Sequence, residues 1–130
     1  MNEAMQDEKE ALVARYVAAY NAFDVEAMLS LLTPDVRFEN HAAGQLTASA
    51  DGVEAFRALA EAAAVLFAER EQRVTSLRID GDDAVADIDY RGTLAADVPG
   101  GPSAGSVLQL AGRSEFGFRD GRICRIVDRS

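Results

Sequence analysis

The chain contains no tryptophan, one cysteine and one histidine among its 130 residues. The single cysteine, Cys124, excludes an internal disulfide and any site built from several thiolates. The single histidine, His41, excludes a histidine-rich metal centre, and neither a metal nor an organic cofactor is implied. Basic residues are scarce: 13 Lys and Arg stand against 22 Asp and Glu, for a net charge of −9. That balance lacks the positive footprint needed to hold nucleic acid or an anionic membrane surface, so neither is expected as a partner. No apolar run approaches the ~18 residues of a membrane span. The segment Met1 to Glu10 is polar and acidic, unlike a secretory signal or a transit peptide, which makes a cytoplasmic protein the expectation. What is present is ordinary for a globular protein, with 48% hydrophobic and 27% charged residues. The length fits one domain, residues 1–130, with a core of its own. Repeats and linkers are absent.

Hydrophobic period orders the elements. Asp7-Glu8-Lys9-Glu10 has capping-box spacing, and from there Leu12, Tyr16, Ala19 and Phe23 recur at helical intervals, with Val13, Val17 and Tyr20 beside them. This predicts a first helix ending near Ala22. Asp24 can cap a second, with the stripe Val25, Met28, Leu29 and Leu32, stopped at Thr33-Pro34 because proline disfavours a helical residue before it. A short strand, Val36 to Asn40, follows. Asp51-Gly52-Val53-Glu54 is another capping box, opening a third helix through Phe56, Leu59, Ala60, Ala63 and Phe67. Beyond Glu69 the period shortens. Val74–Ile79 reads as a strand, Asp80-Gly81-Asp82-Asp83 as a turn, and Ala84–Leu94 as a strand. Val98 to Gly105 is a loop rich in Gly and Pro. Ser106–Phe118 is a long strand, which Asp120-Gly121 turns back into Arg122–Val127. Three helices with a strand between the second and third, then a four-strand antiparallel meander, give an α+β architecture.

Strand alternation sorts the side chains. Leu108, Leu110, Gly112, Ser114, Phe116 and Phe118 share one face, as do Ala84, Ala86, Ile88 and Tyr90. So do Cys124, Ile126 and Asp128 in the last strand, and Val36, Phe38 and Asn40 in the short one. These sets look inward, unless a bulge reverses them. Their polar members, with Tyr16 from the first helix, are the candidates for function: Tyr16, Asn40, Tyr90, Ser114 and Asp128. Each also has a purely structural use. Tyr16 can anchor its helix, Asn40 can cap the following loop, Ser114 can fill space and Tyr90 can sit at a rim. Asp128 can pair at the surface with Arg125 or Arg129. His41, next to Glu39, is a further candidate base because imidazole titrates near neutrality. Cys124 reads as a small buried hydrophobe.

Two stretches carry a family resemblance that extends over about residues 8 to 128. One is Tyr16-Val17-Ala18-Ala19-x-Asn21-Ala22-x-Asp24, at the heart of the two-helices-then-strand opening. The other is Phe116-x-Phe118-x-Asp120-Gly121-x-Ile123. Together they resemble the nuclear transport factor 2-like superfamily, which includes ketosteroid isomerase and the SnoaL-like polyketide cyclases. The resemblance implies a cone-shaped, curved antiparallel sheet wrapped around three N-terminal helices and enclosing an apolar pocket. Ketosteroid isomerase chemistry needs a carboxylate base and an oxyanion hole of a tyrosine with a protonated aspartate. Tyr16 matches the tyrosine, but Asn40 falls at the base position and Ser114 at the second oxyanion position. An amide cannot take up the proton, so the ketosteroid isomerase reaction itself is not expected. The SnoaL-like cyclases use an aspartate late in the sheet as acid/base, a place that Asp128 fits. The Asp-Arg-Asp relay of limonene-epoxide hydrolase-like members has a weaker match in Asp89-x-Arg91 with Asp128, since Asp89 and Arg91 point outward by alternation.

The resulting expectation is a protein that binds a small apolar molecule. If catalytic, it performs proton transfer: isomerisation, cyclisation or dehydration. Tyr16, Asn40, Asp128 and His41 are the catalytic candidates, and Tyr20, Phe38, Phe56, Tyr90, Ser114, Phe116 and Phe118 the ligand-binding ones. The alternative is a non-catalytic binding or dimerisation module of the same fold. A homodimer through the outer sheet face is expected, where Val85, Val107 and Ala111 sit among charges, and the loop Val98 to Gly105 is a candidate lid.

Overall fold

Helix α1 (Glu3–Asn21) begins ahead of the Asp7 capping box. The coordinates come from a computed structural model that describes residues 3–130; Met1 and Asn2, which open the polar N-terminal segment, lie outside the described residues. Glu3, Met5 and Gln6 with Ala4 are good helix formers, so Asp7 to Glu10 become part of the helix rather than its start. Its buried side chains include Leu12, Val13, Tyr16, Val17 and Ala19. Lys9 is buried too, donating from Nζ to the Gly81 carbonyl at 2.7 Å.

Helix α2 (Val25–Ser30) is capped by Asp24, whose Oδ1 accepts from the Ala27 amide at 3.1 Å. It ends earlier than its apolar stripe predicts. Leu32 already belongs to strand β1 (Leu32–Ala42) and pairs with Ile123. Pro34 favours extended backbone at Thr33, and it lies where the β1 register shifts between Leu32 and Arg37, a place that tolerates a missing N–H. A hairpin through Ala43 and Gly44, both at positive φ (53° and 78°), leads into β2 (Gln45–Asp51). This strand is absent from the sequence reading, because Gln45 to Asp51 carries too little apolar alternation. Asp51 ends β2 and bonds Arg37 at 3.0 Å. The N-cap of α3 (Val53–Leu66) is Gly52, with no side-chain capping bond.

Strand β3 (Phe67–Asp80) follows α3 directly, starting seven residues before Val74. It was hidden because its early inward positions, Arg70 and Gln72, are as polar as its outward ones. Strands β4 (Asp83–Leu94), β5 (Val107–Arg119) and β6 (Arg122–Arg129) fall where their patterns place them. The sheet order is β2-β1-β6-β5-β4-β3. The β1–β6 pairing is parallel and all others are antiparallel, so the sheet is mixed, not wholly antiparallel. No local pattern forecasts that pairing, because β1 and β6 are brought together across most of the chain.

Bulges tune the facing. In β3, Val74 pairs with Ile88 and Ser76 with Asp87, so Thr75 is bypassed and Leu77 and Ile79 regain the inner face. In β6, Ile123 pairs with Phe118 and Arg125 with Gly117. Cys124 is bypassed, so Ile123 is fully buried and Cys124 is only half-buried. The core forms one row across the sheet, Phe38, Ile126, Phe116, Ala84 and Ile79, beneath α1. Full burial of each large side chain there contributes about 1.5–3 kcal/mol. Helix α1 packs on β3, and α3 on β1 and β2. No described helix is long and apolar enough to cross a membrane.

Candidate active site

One row above that core, the register lines up Ala48, Asn40, Asp128, Ser114, Ala86 and Leu77 on neighbouring strands. Three adjacent polar side chains thus form a strip facing α1. Above the strip the helices and the sheet diverge around a cavity of about 430 Å³, within the range of small-molecule sites. Tyr16, Tyr20, Phe38, Phe56, Phe67 and Tyr90 supply its aromatic walls. Gly92 lets Phe67 close one side, since a Cβ there would stand 2.7 Å from the Phe67 ring.

Among the described residues that line the cavity, Asp128 is the only one with a side-chain carboxylate. It accepts a hydrogen bond from Ser114 Oγ at 2.6 Å. Enclosure in protein pushes its ionisation up to about 6, against which the Ser114 bond acts in the lowering direction. The expected surface partners are engaged elsewhere: Arg125 with Asp83 at 3.1 Å and Arg129 with Glu115 at 2.9 Å. Tyr16 is buried, its ring edge-on to Phe116. Burial, then the charge of Asp128, holds the Tyr16 phenol well above its ordinary ionisation, so it remains a proton donor. The Tyr20 hydroxyl donates to that of Tyr90 at 3.0 Å. Burial is the leading cause that raises both of these tyrosines as well. Asn40 lines the cavity with its amide bonded to Thr47 Oγ1 at 2.7 Å.

The structure therefore brings together Tyr16, Tyr20, Phe38, Asn40, Phe56, Tyr90, Ser114 and Asp128 around one cavity. Three candidates stand elsewhere. His41 shares the outer face of β1 with Glu39, bonded to its Oε1 at 2.8 Å, because alternation turns residues 39 and 41 away from residues 38 and 40. Phe116 lies in the core below the strip, 1% exposed. Phe118 sits farther along β5, its ring 5.9 Å from Lys9 Nζ. Asp89 bonds Arg73 at 2.9 Å on the outer face, so the Asp-Arg-Asp relay is not assembled. No residue of the loop 98–105 lines the cavity; the loop folds on itself through Val98 N to Pro102 O (2.9 Å) and Gly101 N to Val98 O (2.9 Å).

Sequence reasoning missed Arg70. It stands between Glu69 and Glu71, in a run of charges that carries no periodic signal of its own. It is 6% exposed and borders the cavity beside Gln72. The signal was its spacing: Arg70, Gln72 and Val74 share the inner face of β3, which becomes visible once the strand is extended back to Phe67. Among the described residues, no His, Cys, Asp and Glu side chains group as a metal site requires.

A model of the SnoaL-like domain family matches residues 13–126. The chain belongs to this family. No curated protein matches it in sequence. Among solved structures, this SnoaL-like domain is similar to a candidate polyketide cyclase from Xanthomonas campestris pv. campestris. The two share 25% identity over 95% of this chain and 90% of that one, with a TM-score of 0.85. A candidate polyketide cyclase from Pseudomonas putida KT2440 is 30% identical over 90% of this chain and 86% of that one, at a TM-score of 0.71. The same fold appears in AclR, a candidate hydroxylase from Streptomyces galilaeus. It is 20% identical over 94% of this chain and 87% of that one, with a TM-score of 0.75. These likenesses place the SnoaL-like domain in the nuclear transport factor 2-like superfamily.

Proposed function

We propose that this SnoaL-like domain binds a small, mostly apolar molecule in its cavity and moves a proton on it, in a cyclisation, isomerisation or dehydration. Asp128 carries the reading: a lone carboxyl in an apolar cavity, its ionisation near 6, is poised to give or take a proton near neutral pH. Tyr16 donates to the oxygen on which negative charge develops. Ser114 and Asn40 orient Asp128 and the ligand. The cyclase relatives support this reading by analogy.

The test is elimination of 5-nitrobenzisoxazole, a flat carbon acid whose ring opens when a base removes one proton. The expected rate exceeds that of free carboxylate in solution and rises with pH through a midpoint near 6, as ionised Asp128 accumulates. A rate no better than solution would support the alternative, a non-catalytic binding module. The observation favouring that alternative is Asn40, an amide where the isomerases keep their base.

We also propose that two copies pair through the outer sheet face, in the cytoplasm. Val107 is 48% exposed there, with Ala111 also exposed and Val85 half-buried among charged neighbours. Sedimentation at micromolar concentration should show a dimer, and a monomer would remove this assembly.

A further inference from the structure

We propose that the ligand is a monoanion, a planar apolar body bearing one carboxylate, and that Arg70 binds the carboxylate. This rests on the reading of the cavity as a binding site. Among the described residues, Arg70 and Lys9 are the buried charged side chains, and no described carboxylate lies within ion-pairing distance of Arg70. Its protein contacts use only part of the group. Nε donates to the Tyr20 carbonyl at 3.0 Å, while the guanidinium lies over the Tyr20 ring, 3.7 Å from its centroid, and 4.5 Å from that of Phe23. A guanidinium carries five N–H donors in a fixed fork. Those on the two terminal nitrogens have no acceptor among the described residues, and the side chain borders the cavity.

A charge set this deep with no counter-charge is costly, although the terminal nitrogens are not sealed in protein and open onto the cavity. Ring stacking offsets some of that cost and holds the fork in place, but supplies no counter-charge. Asp128 does not serve as one. The two do not form an ion pair, and the carboxyl's raised ionisation reflects burial without relief from Arg70. Arg70 stands on β3 and Asp128 on β6, with β4 and β5 between those strands, and Tyr16 and Tyr20 are near enough to feel both charges. The cavity is therefore polarised, with a fixed cation at one end and a proton-exchanging acid at the other. An incoming carboxylate would take the free N–H groups of Arg70 in a bidentate fork and orient the apolar body toward Asp128. A phosphate fits less well. Its second negative charge would meet no second buried cation, in a cavity that already holds Asp128.

The probe is 2-naphthoate compared with its neutral counterpart 2-naphthylmethanol, titrated by calorimetry at pH 7.5. Naphthoate is expected to bind about 10- to 100-fold more tightly, the worth of a buried charge-assisted fork. Arg70→Met should abolish that preference while keeping the alcohol's affinity, and Asp128→Asn should keep or raise it. In the unmodified protein, naphthoate should also shift the Arg70 Nε resonance, which keeps the test decisive if Arg70→Met does not fold. Equal affinity for the two probes, or an unmoved Arg70 resonance, would overturn the carboxylate assignment and leave the cavity reading standing. Failure of both probes to bind would overturn both.

Discussion

Replacing Asp128 by asparagine is expected to stabilise the protein at pH 8 by on the order of 3 kcal/mol and to lower the elimination rate by about 10²–10⁴-fold. The two effects share one cause. In the folded protein the Asp128 carboxyl ionises near 6; in an unfolded chain an aspartate ionises near ~3.9. Between those values the folded state holds a proton that the unfolded state has released. Raising pH through that window therefore favours unfolding, and the loss is complete above the folded value. Below about 3.9 both states are protonated and the penalty vanishes. Asparagine is neutral throughout, nearly the same shape, and still offers an oxygen to Ser114 Oγ. Its advantage should be full at pH 8, shrink below pH 6 and disappear near pH 4. Urea denaturation of both proteins at those three pH values measures it. A difference that is absent at pH 8 would show that Asp128 ionises as an ordinary surface acid, and one that persists unchanged at pH 4 would show that the gain comes from something other than its ionisation. The catalytic half of the result follows because an amide cannot accept the carbon-bound proton.

Phe116→Ala should cost about 3–5 kcal/mol of stability and leave the affinity of the folded protein for naphthoate almost unchanged. Phe116 is 1% exposed and packs edge-on against Tyr16, their centroids 5.9 Å apart. It supports the polar strip from below without reaching the cavity. Phe38 offers the contrast. It borders the cavity, its ring 5.4 Å from that of Phe56, and Phe38→Ala should weaken naphthoate binding clearly. Denaturation curves paired with naphthoate titrations separate the roles. A large affinity loss in the Phe116 variant, with the Phe38 variant unaffected, would return Phe116 to the cavity wall.

The inner faces of β1, β4 and β5 were legible as strings of alternating residues, because a sheet with one buried face imposes period two on its sequence. Once Asn40, Ser114 and Asp128 were assigned to inner faces, a shared polar strip needed only the right register. That register came from the structure: Asn40 and Ser114 flank Asp128 through one parallel and one antiparallel pairing. His41 follows the same alternation outward, so its rejection was available from β1 alone. Phe116 and Phe118 were placed on the correct face but at the wrong height. Alternation says which side a residue faces and nothing about whether helix or open space lies above it.

What the sequence determined by itself was local. Helical and two-residue periods, the Asp24 cap, the glycine turns and the scarcity of basic residues are written in near neighbours, and with the family resemblance they were enough for the fold class and for turning Tyr16 and Asp128 inward. The rest needed the tertiary structure. The β1–β6 pairing, the bulges at Thr75 and Cys124, the raised ionisation of Asp128 and the burial of Arg70 each depend on groups far apart in the chain. Desolvation is set by everything that surrounds a group, so Glu69-Arg70-Glu71 reads as solvated surface until Tyr20 and Phe23 of the α1–α2 region are seen closing over the guanidinium.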